Sequence, residues 1–142
     1  MAKSFSIDIV TPEKKVFEGS VLSVMAPGIE GEFGVLAGHA PFATVLAPGV
    51  VTLKHEDGKE EMMAVSGGYI EVKGDKVILL VESADRAGEV DVEKIKRRKE
   101  EKERLLKAKD KKDIDYDAIQ AALMQEMSRL KAVEILQKRK KV

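Results

Sequence analysis

Val81-Glu82-Ser83-Ala84-Asp85-Arg86-Ala87-Gly88-Glu89-Val90-Asp91-Val92-Glu93-Lys94-Ile95 contains the last glycine of the 142-residue chain, and the fold divides there. All 11 glycines and all 4 prolines lie in residues 1–88. After Gly88 the composition changes to Lys, Glu, Arg, Leu and Ala, residues that lose little side-chain freedom in a helix. Charge divides at the same place. Residues 1–88 hold 8 Lys/Arg against 13 Asp/Glu, a net of −5, while residues 89–142 hold 17 against 12, a net of +5. The boundary predicts two domains, 1–88 and 89–142.

Before the boundary the chain alternates as half-buried strands do. Ser4-Phe5-Ser6-Ile7-Asp8-Ile9-Val10 alternates polar with apolar, and Thr11-Pro12-Glu13 breaks it. Further strand-like runs are Lys15 to Phe17, Val21 to Ala26, Thr44 to Leu46, Val50 to Lys54, Glu61 to Val65, Tyr69 to Val72 and Lys76 to Val81. Turn formers separate them at short intervals, among them Pro27-Gly28, Pro48-Gly49, Gly67-Gly68 and Gly74-Asp75. Many short strands with frequent turns predict an antiparallel sandwich or barrel. Asp57-Gly58 is the best tight-hairpin signal, because both residues tolerate positive φ.

Behind the boundary, one helix is expected from Val90 to about Lys109, and Asp110-Lys111-Lys112-Asp113 is a polar break. Asp113 or Asp115 then caps a second helix running to about Lys138, with Asp117 in its first turn. Its stripe is Ile119, Leu123, Met127, Leu130, Val133 and Leu136, flanked by Ala122 and Met124. Helix one offers only Val92, Ile95, Leu105, Leu106 and Ala108, with no apolar residue between Ile95 and Leu105. An antiparallel hairpin built this way covers its own apolar stripe only in part. It needs the sandwich or a partner.

Chemistry is sparse. The absence of cysteine excludes disulfides, thiolate zinc sites and cysteine nucleophiles. His39 and His55 come with no metal-ligand spacing, and no phosphate-binding P-loop, nucleophile elbow or His-Glu-x-x-His occurs. No signal-peptide-like start is present, nor any run near the roughly 20 apolar residues of a membrane span. The stretch Lys94 to Lys112 has 11 Lys/Arg in 19 residues, but Glu100, Glu101 and Glu103 interrupt it and no aromatic is available for base stacking. A solvated, ion-paired helix face comes first, docking on an acidic protein surface second, nucleic acid third. The segment Gly28 to Phe42 carries four glycines and the apolar residues Phe33, Leu36 and Phe42, yet no Lys or Arg lies between Lys15 and Lys54. It is a protein-contact loop rather than an anion cradle.

One family fits these residues. Glu30-Gly31-Glu32-Phe33-Gly34-Val35-Leu36-Ala37-Gly38-His39-Ala40-Pro41-Phe42, followed by Leu46-Ala47-Pro48-Gly49, resembles the signature of the F-type ATP synthase epsilon subunit. Ser66-Gly67-Gly68-Tyr69-Ile70-Glu71-Val72 and Asp85-Arg86-Ala87 resemble two further blocks, and the likeness extends across the whole chain. The resemblance implies a sandwich of about ten antiparallel strands, then a two-helix hairpin. It implies a non-catalytic central-stalk subunit with no catalytic residue, no metal and no nucleic acid. The implied partners are gamma, the c-subunit ring, alpha and beta. Membrane association then runs only through the complex, at the cytoplasmic face of the inner membrane.

The same resemblance assigns roles. Glu32, Phe33, His39, Ala40, Pro41 and Phe42 fall in the family's stalk-contact loop. Lys94, Arg97, Arg98, Lys99 and Arg104 fall on the basic helix that meets an acidic segment of beta and restrains ATP hydrolysis. The family's hairpin lies folded on the sandwich or extends beside gamma. No resident cofactor is implied. Some members bind ATP at the hairpin as a regulatory ligand through an Ile/Leu-Asp-x-x-Arg-Ala pattern. The matching positions, Val90-Asp91-Val92-Glu93-Lys94-Ile95, keep Asp91 but carry Lys94 and Ile95 in place of arginine and alanine. Asp85 and Arg129 complete that set, and Gln125 stands where binders tend to be basic. Lysine lacks the planar fork that grips phosphate, which argues against micromolar affinity.

Overall fold

The computed structural model describes residues 3–89, 91–107 and 116–140. Nine strands are present among them: β1 Phe5–Val10, β2 Lys15–Gly28, β3 Gly31–Leu36, β4 Phe42–Leu46, β5 Gly49–His55, β6 Glu60–Val65, β7 Gly68–Lys73, β8 Lys76–Val81 and β9 Ala84–Arg86. A 3-10 turn, Ala87–Glu89, leads to α1 Val92–Lys107 and α2 Tyr116–Lys140. The expected break at 110–113 and the caps Asp113 and Asp115 lie outside the described residues. Asp117 stands in the first turn of α2 as expected.

The long strand β2 makes the sandwich. Its first half pairs with β1, and its second half lies between β3 and β5. One layer is therefore β4-β7-β8-β1 plus the start of β2, and the other is β3, the end of β2, β5, β6 and β9. Pairing is antiparallel except between β1 and β8, which run parallel. The expected Lys15–Phe17 and Val21–Ala26 strands are one element. Gly19 does not break it because its backbone is ordinary, and the position left bare faces the Phe17 ring. The hairpin expected at Asp57-Gly58 forms, but with positive φ at Gly58 alone (+87°); the Asp57 carboxylate accepts from the Lys59 N–H at 2.9 Å.

Alternation delivers the core. Ile7, Ile9, Val21, Val24, Leu53, Met63, Ile70 and Leu79 are fully buried between the layers. All 17 buried members of this cluster come from strands, so the sandwich core does not depend on the helices. On the outer face of β5 and β6, Val50, Met62 and Ala64 meet Ala132 and Val133 of α2, with Ala87 of the 3-10 turn. Thus α2 lies against the sandwich and α1 lies against α2.

The helices differ from the expected stripe in one respect. Met127 and Met124 are 50% and 46% exposed, while Glu126 and Ser128 are buried. A helix held by a sheet on one side and a helix on the other buries two narrow faces. In α1 the buried residue is Ile95.

Candidate functional site

Three surfaces stand out, and two of them carry the site residues read from the sequence. The first is the lateral opening between the edges of β3 and β4. Gly31 takes φ +134°, which turns the chain from β2 into β3. The Phe33 and Phe42 rings meet edge to face at 5.3 Å, and the His39 ring lies 5.8 Å from Phe42. His39 Nδ1–H donates to the Ala40 carbonyl at 2.8 Å. Phe33 packs on the sandwich core and His39 is half-buried, while Phe42 is exposed together with Glu32, Ala40 and Pro41. The expected loop is in part a strand: Val35 enters the core, so Gly31–Leu36 pairs with β2.

The second surface is not among the sites named from the sequence. On the outer face of the β4-β7-β8 layer, Val45 pairs with Tyr69 and Tyr69 with Leu80. They are 49%, 41% and 51% exposed. Beside Leu80 an apolar hollow of about 350 Å³ opens between Val10, Pro12 and Val81. The signal was present in Val77-Ile78-Leu79-Leu80-Val81, an unbroken apolar run. A strand with one wet face alternates, and one apolar throughout is made to be covered on both.

The third is a cleft of about 500 Å³ between sandwich and hairpin, lined by Lys14, Asp85, Asp91, Lys94, Arg98 and Arg129, among others. Asp85, Asp91, Lys94 and Arg129, separated in sequence by up to 44 positions, converge there. Asp91 caps α1, its carboxylate accepting from the Lys94 N–H at 3.2 Å. Arg129 Nε–H donates to Asp85 at 2.6 Å and its Nη1–H to Glu126 at 2.8 Å. Burial alone lowers the pKa of Arg129, but the hydrogen bonds and charges of Asp85 and Glu126 outweigh it and hold that pKa above its ordinary value. Next to Asp85, Arg86 also lines the cleft but has its own partners, 3.3 Å from Glu61 and donating to the Val16 carbonyl at 2.9 Å. Along α1, Lys94, Arg97 and Arg104 are exposed and Arg98 and Lys99 half-buried. Lys99 pairs with Glu103 at 3.7 Å.

Among the described residues no cluster of three His, Cys, Asp or Glu side chains has metal-site spacing, and no helix is long and apolar enough to cross a membrane.

The profile of the family described as "ATP synthase, Delta/Epsilon chain, beta-sandwich domain" matches residues 4–87. The ATP synthase epsilon chain of Desulforamulus reducens is 42% identical over 134 residues, covering 94% of this chain and 100% of that one. The epsilon chain of Dichelobacter nodosus is 39% identical, covering 94% and 96%. A chain in the structure of the Euglena gracilis mitochondrial ATP synthase (OSCP/F1/c-ring) superposes with TM-score 0.69 at 25% identity, covering 96% of this chain and 81% of that one. A chain of the Tetrahymena thermophila central stalk/c-ring structure shares the fold, with TM-score 0.56 at 14% identity and coverage of 92% and 97%. Over nearly its full length, therefore, the chain belongs to the ATP synthase delta/epsilon family, as an epsilon chain.

Proposed function

We propose that this chain is the non-catalytic rotor subunit of an F-type ATP synthase, coupling rotation of the c ring to the catalytic head. The observation that carries the reading is the uncovered apolar ladder Val45–Tyr69–Leu80 on a sandwich whose own core is already complete. Such a face supports a permanent protein seat. Gamma takes it, and the end bearing Glu32, Ala40 and Pro41 turns to the c ring, where the carboxylate pairs with basic loops. The complex holds the chain at the cytoplasmic face of the membrane.

The hairpin is the regulatory part. Lys94, Arg97 and Arg104 present positive charge along α1 to alpha and beta, and their engagement restrains ATP hydrolysis. The cleft beneath α1 supports ATP as a weak regulatory ligand favouring the seated hairpin. Its Arg129 is already held by two carboxylates, and Lys94 offers a point charge rather than a fork. The test is affinity pull-down of the tagged chain from its native membranes, with mass spectrometry. Recovery of alpha, beta, gamma and c subunits is expected. Recovery of nucleic acid or unrelated proteins without them overturns the reading in favour of a free-standing adaptor.

A further inference from the structure

Two ionic links with different tasks join through the Glu126–Arg129 pair of α2. Glu126 on α2 is 3% exposed. Its Oε1 lies 2.8 Å from Arg129 Nη1 and 3.5 Å from Lys102 Nζ of α1. Its Oε2 is buried with no hydrogen-bond partner among the described residues. Arg129 continues the chain to Asp85 of β9, and Arg86 beside it is anchored to Glu61 and Val16 in the sandwich. One link, Lys102–Glu126, ties α1 to α2. The other, Arg129–Asp85, ties α2 to the sandwich.

We propose that Lys102, Glu126, Arg129 and Asp85 form an ionic clasp that keeps the seated hairpin releasable, with Asp85 as the contact that breaks on release. The apolar seat beneath α2 is small, contributed on the helix side by Ala132 and Val133 with the half-buried Ile135 and Leu136. In α1 the one buried apolar side chain is Ile95. A buried carboxylate with one oxygen unsatisfied is a poor stabiliser compared with an apolar side chain in the same space. It does, however, tie seating to charges that a competitor can remove. Arg129 keeps Glu126 when Asp85 lets go, so α2 leaves the sandwich without stranding a buried cation. Lys102 sits at the far link, and its loss frees α1 alone.

The chain lacks cysteine, so Glu56→Cys on the β5–β6 turn and Met124→Cys on α2, both exposed, label uniquely for a distance measurement on the full chain. Asp85→Asn is expected to raise the ratio of released to seated hairpin on the order of tenfold, the worth of one charge-assisted hydrogen bond. Asp85→Glu retains the parent ratio. Lys102→Met with Glu126→Leu, which fills the space without charge, gives a hairpin at least as closed as the parent. A ratio unchanged within twofold in Asp85→Asn overturns the clasp, as does wholesale release in the apolar double variant while sandwich melting is unaltered. The effect of release on ATP hydrolysis rests on the rotary reading; the distances do not, so the two fail separately.

Discussion

Met62 and Met63 are neighbours in β6 with opposite duties, and truncating each to alanine separates hairpin seating from sandwich stability. Met63 is fully buried between the layers and Met62 is 1% exposed beneath α2. Methionine-to-alanine changes at buried sites cost about 2–5 kcal/mol in lost transfer energy and cavity. Met63→Ala therefore lowers global stability by that amount whether or not residues 89–142 are present. Met62 is covered by the helix, not by the sandwich. In a chain ending at residue 88 its side chain lies on a wet outer face, where substitutions fall within about 0.5 kcal/mol. In the full chain Met62→Ala removes apolar contact from the seat, and even about 2 kcal/mol lowers the seated-to-released ratio roughly 30-fold. Urea unfolding of both lengths gives the global terms, and hydrogen exchange of α2 amides gives the seating. Equal losses for Met62→Ala in the long and short chains, with α2 protection unchanged, refute the assignment of that face.

Other substitutions test the remaining surfaces. Tyr69→Lys with Leu80→Asp leaves the melting temperature within a few degrees, because both side chains are exposed, but abolishes recovery of gamma in pull-down. Gly68→Ala is severe: φ is +152°, and an added Cβ would lie 2.1 Å from the Leu80 carbonyl oxygen, so calorimetry should show a loss of about 3 kcal/mol, or roughly 10 °C or more. Arg129 titrates above its ordinary value, so its stabilisation is fully present below the unfolded pKa and lost only as pH rises through the still higher folded one. Label distances should therefore be flat from neutral to about pH 9, well below that range, and a release within that window contradicts the ion-pair assignment.

The two-part fold is legible because glycine and proline stop at residue 88 and each half keeps one period. What misled was glycine used for packing rather than turning. Gly19 lies within β2, and Gly34 leaves space into which the Met25 sulfur projects, 2.7 Å from where a Cβ would stand. Glycine frequency alone does not separate the two uses, and for that reason Gly31–Leu36 reads as loop in the sequence. The residues at the β3–β4 opening are readable as a contact loop, but their ring packing depends on β3 and β4 coming together across the sandwich. The burial of Glu126 has no local signature at all. A glutamate beside the apolar stripe of an amphipathic helix reads as solvated until the helix opposite supplies Lys102. Convergence of Asp85, Asp91, Lys94 and Arg129 likewise requires the hairpin to fold back on β9, which periodicity does not encode.

The most direct test of the central claim is ATP hydrolysis by the assembled complex containing either the full chain or residues 1–88 alone. The shorter chain keeps the sandwich core, the apolar ladder and Glu32, so it should assemble and support coupled rotation while hydrolysis rises. Hydrolysis unchanged on removing residues 89–142, with assembly intact, contradicts the hairpin as a restraint. Failure of the shorter chain to assemble contradicts the sandwich as the self-sufficient stalk seat.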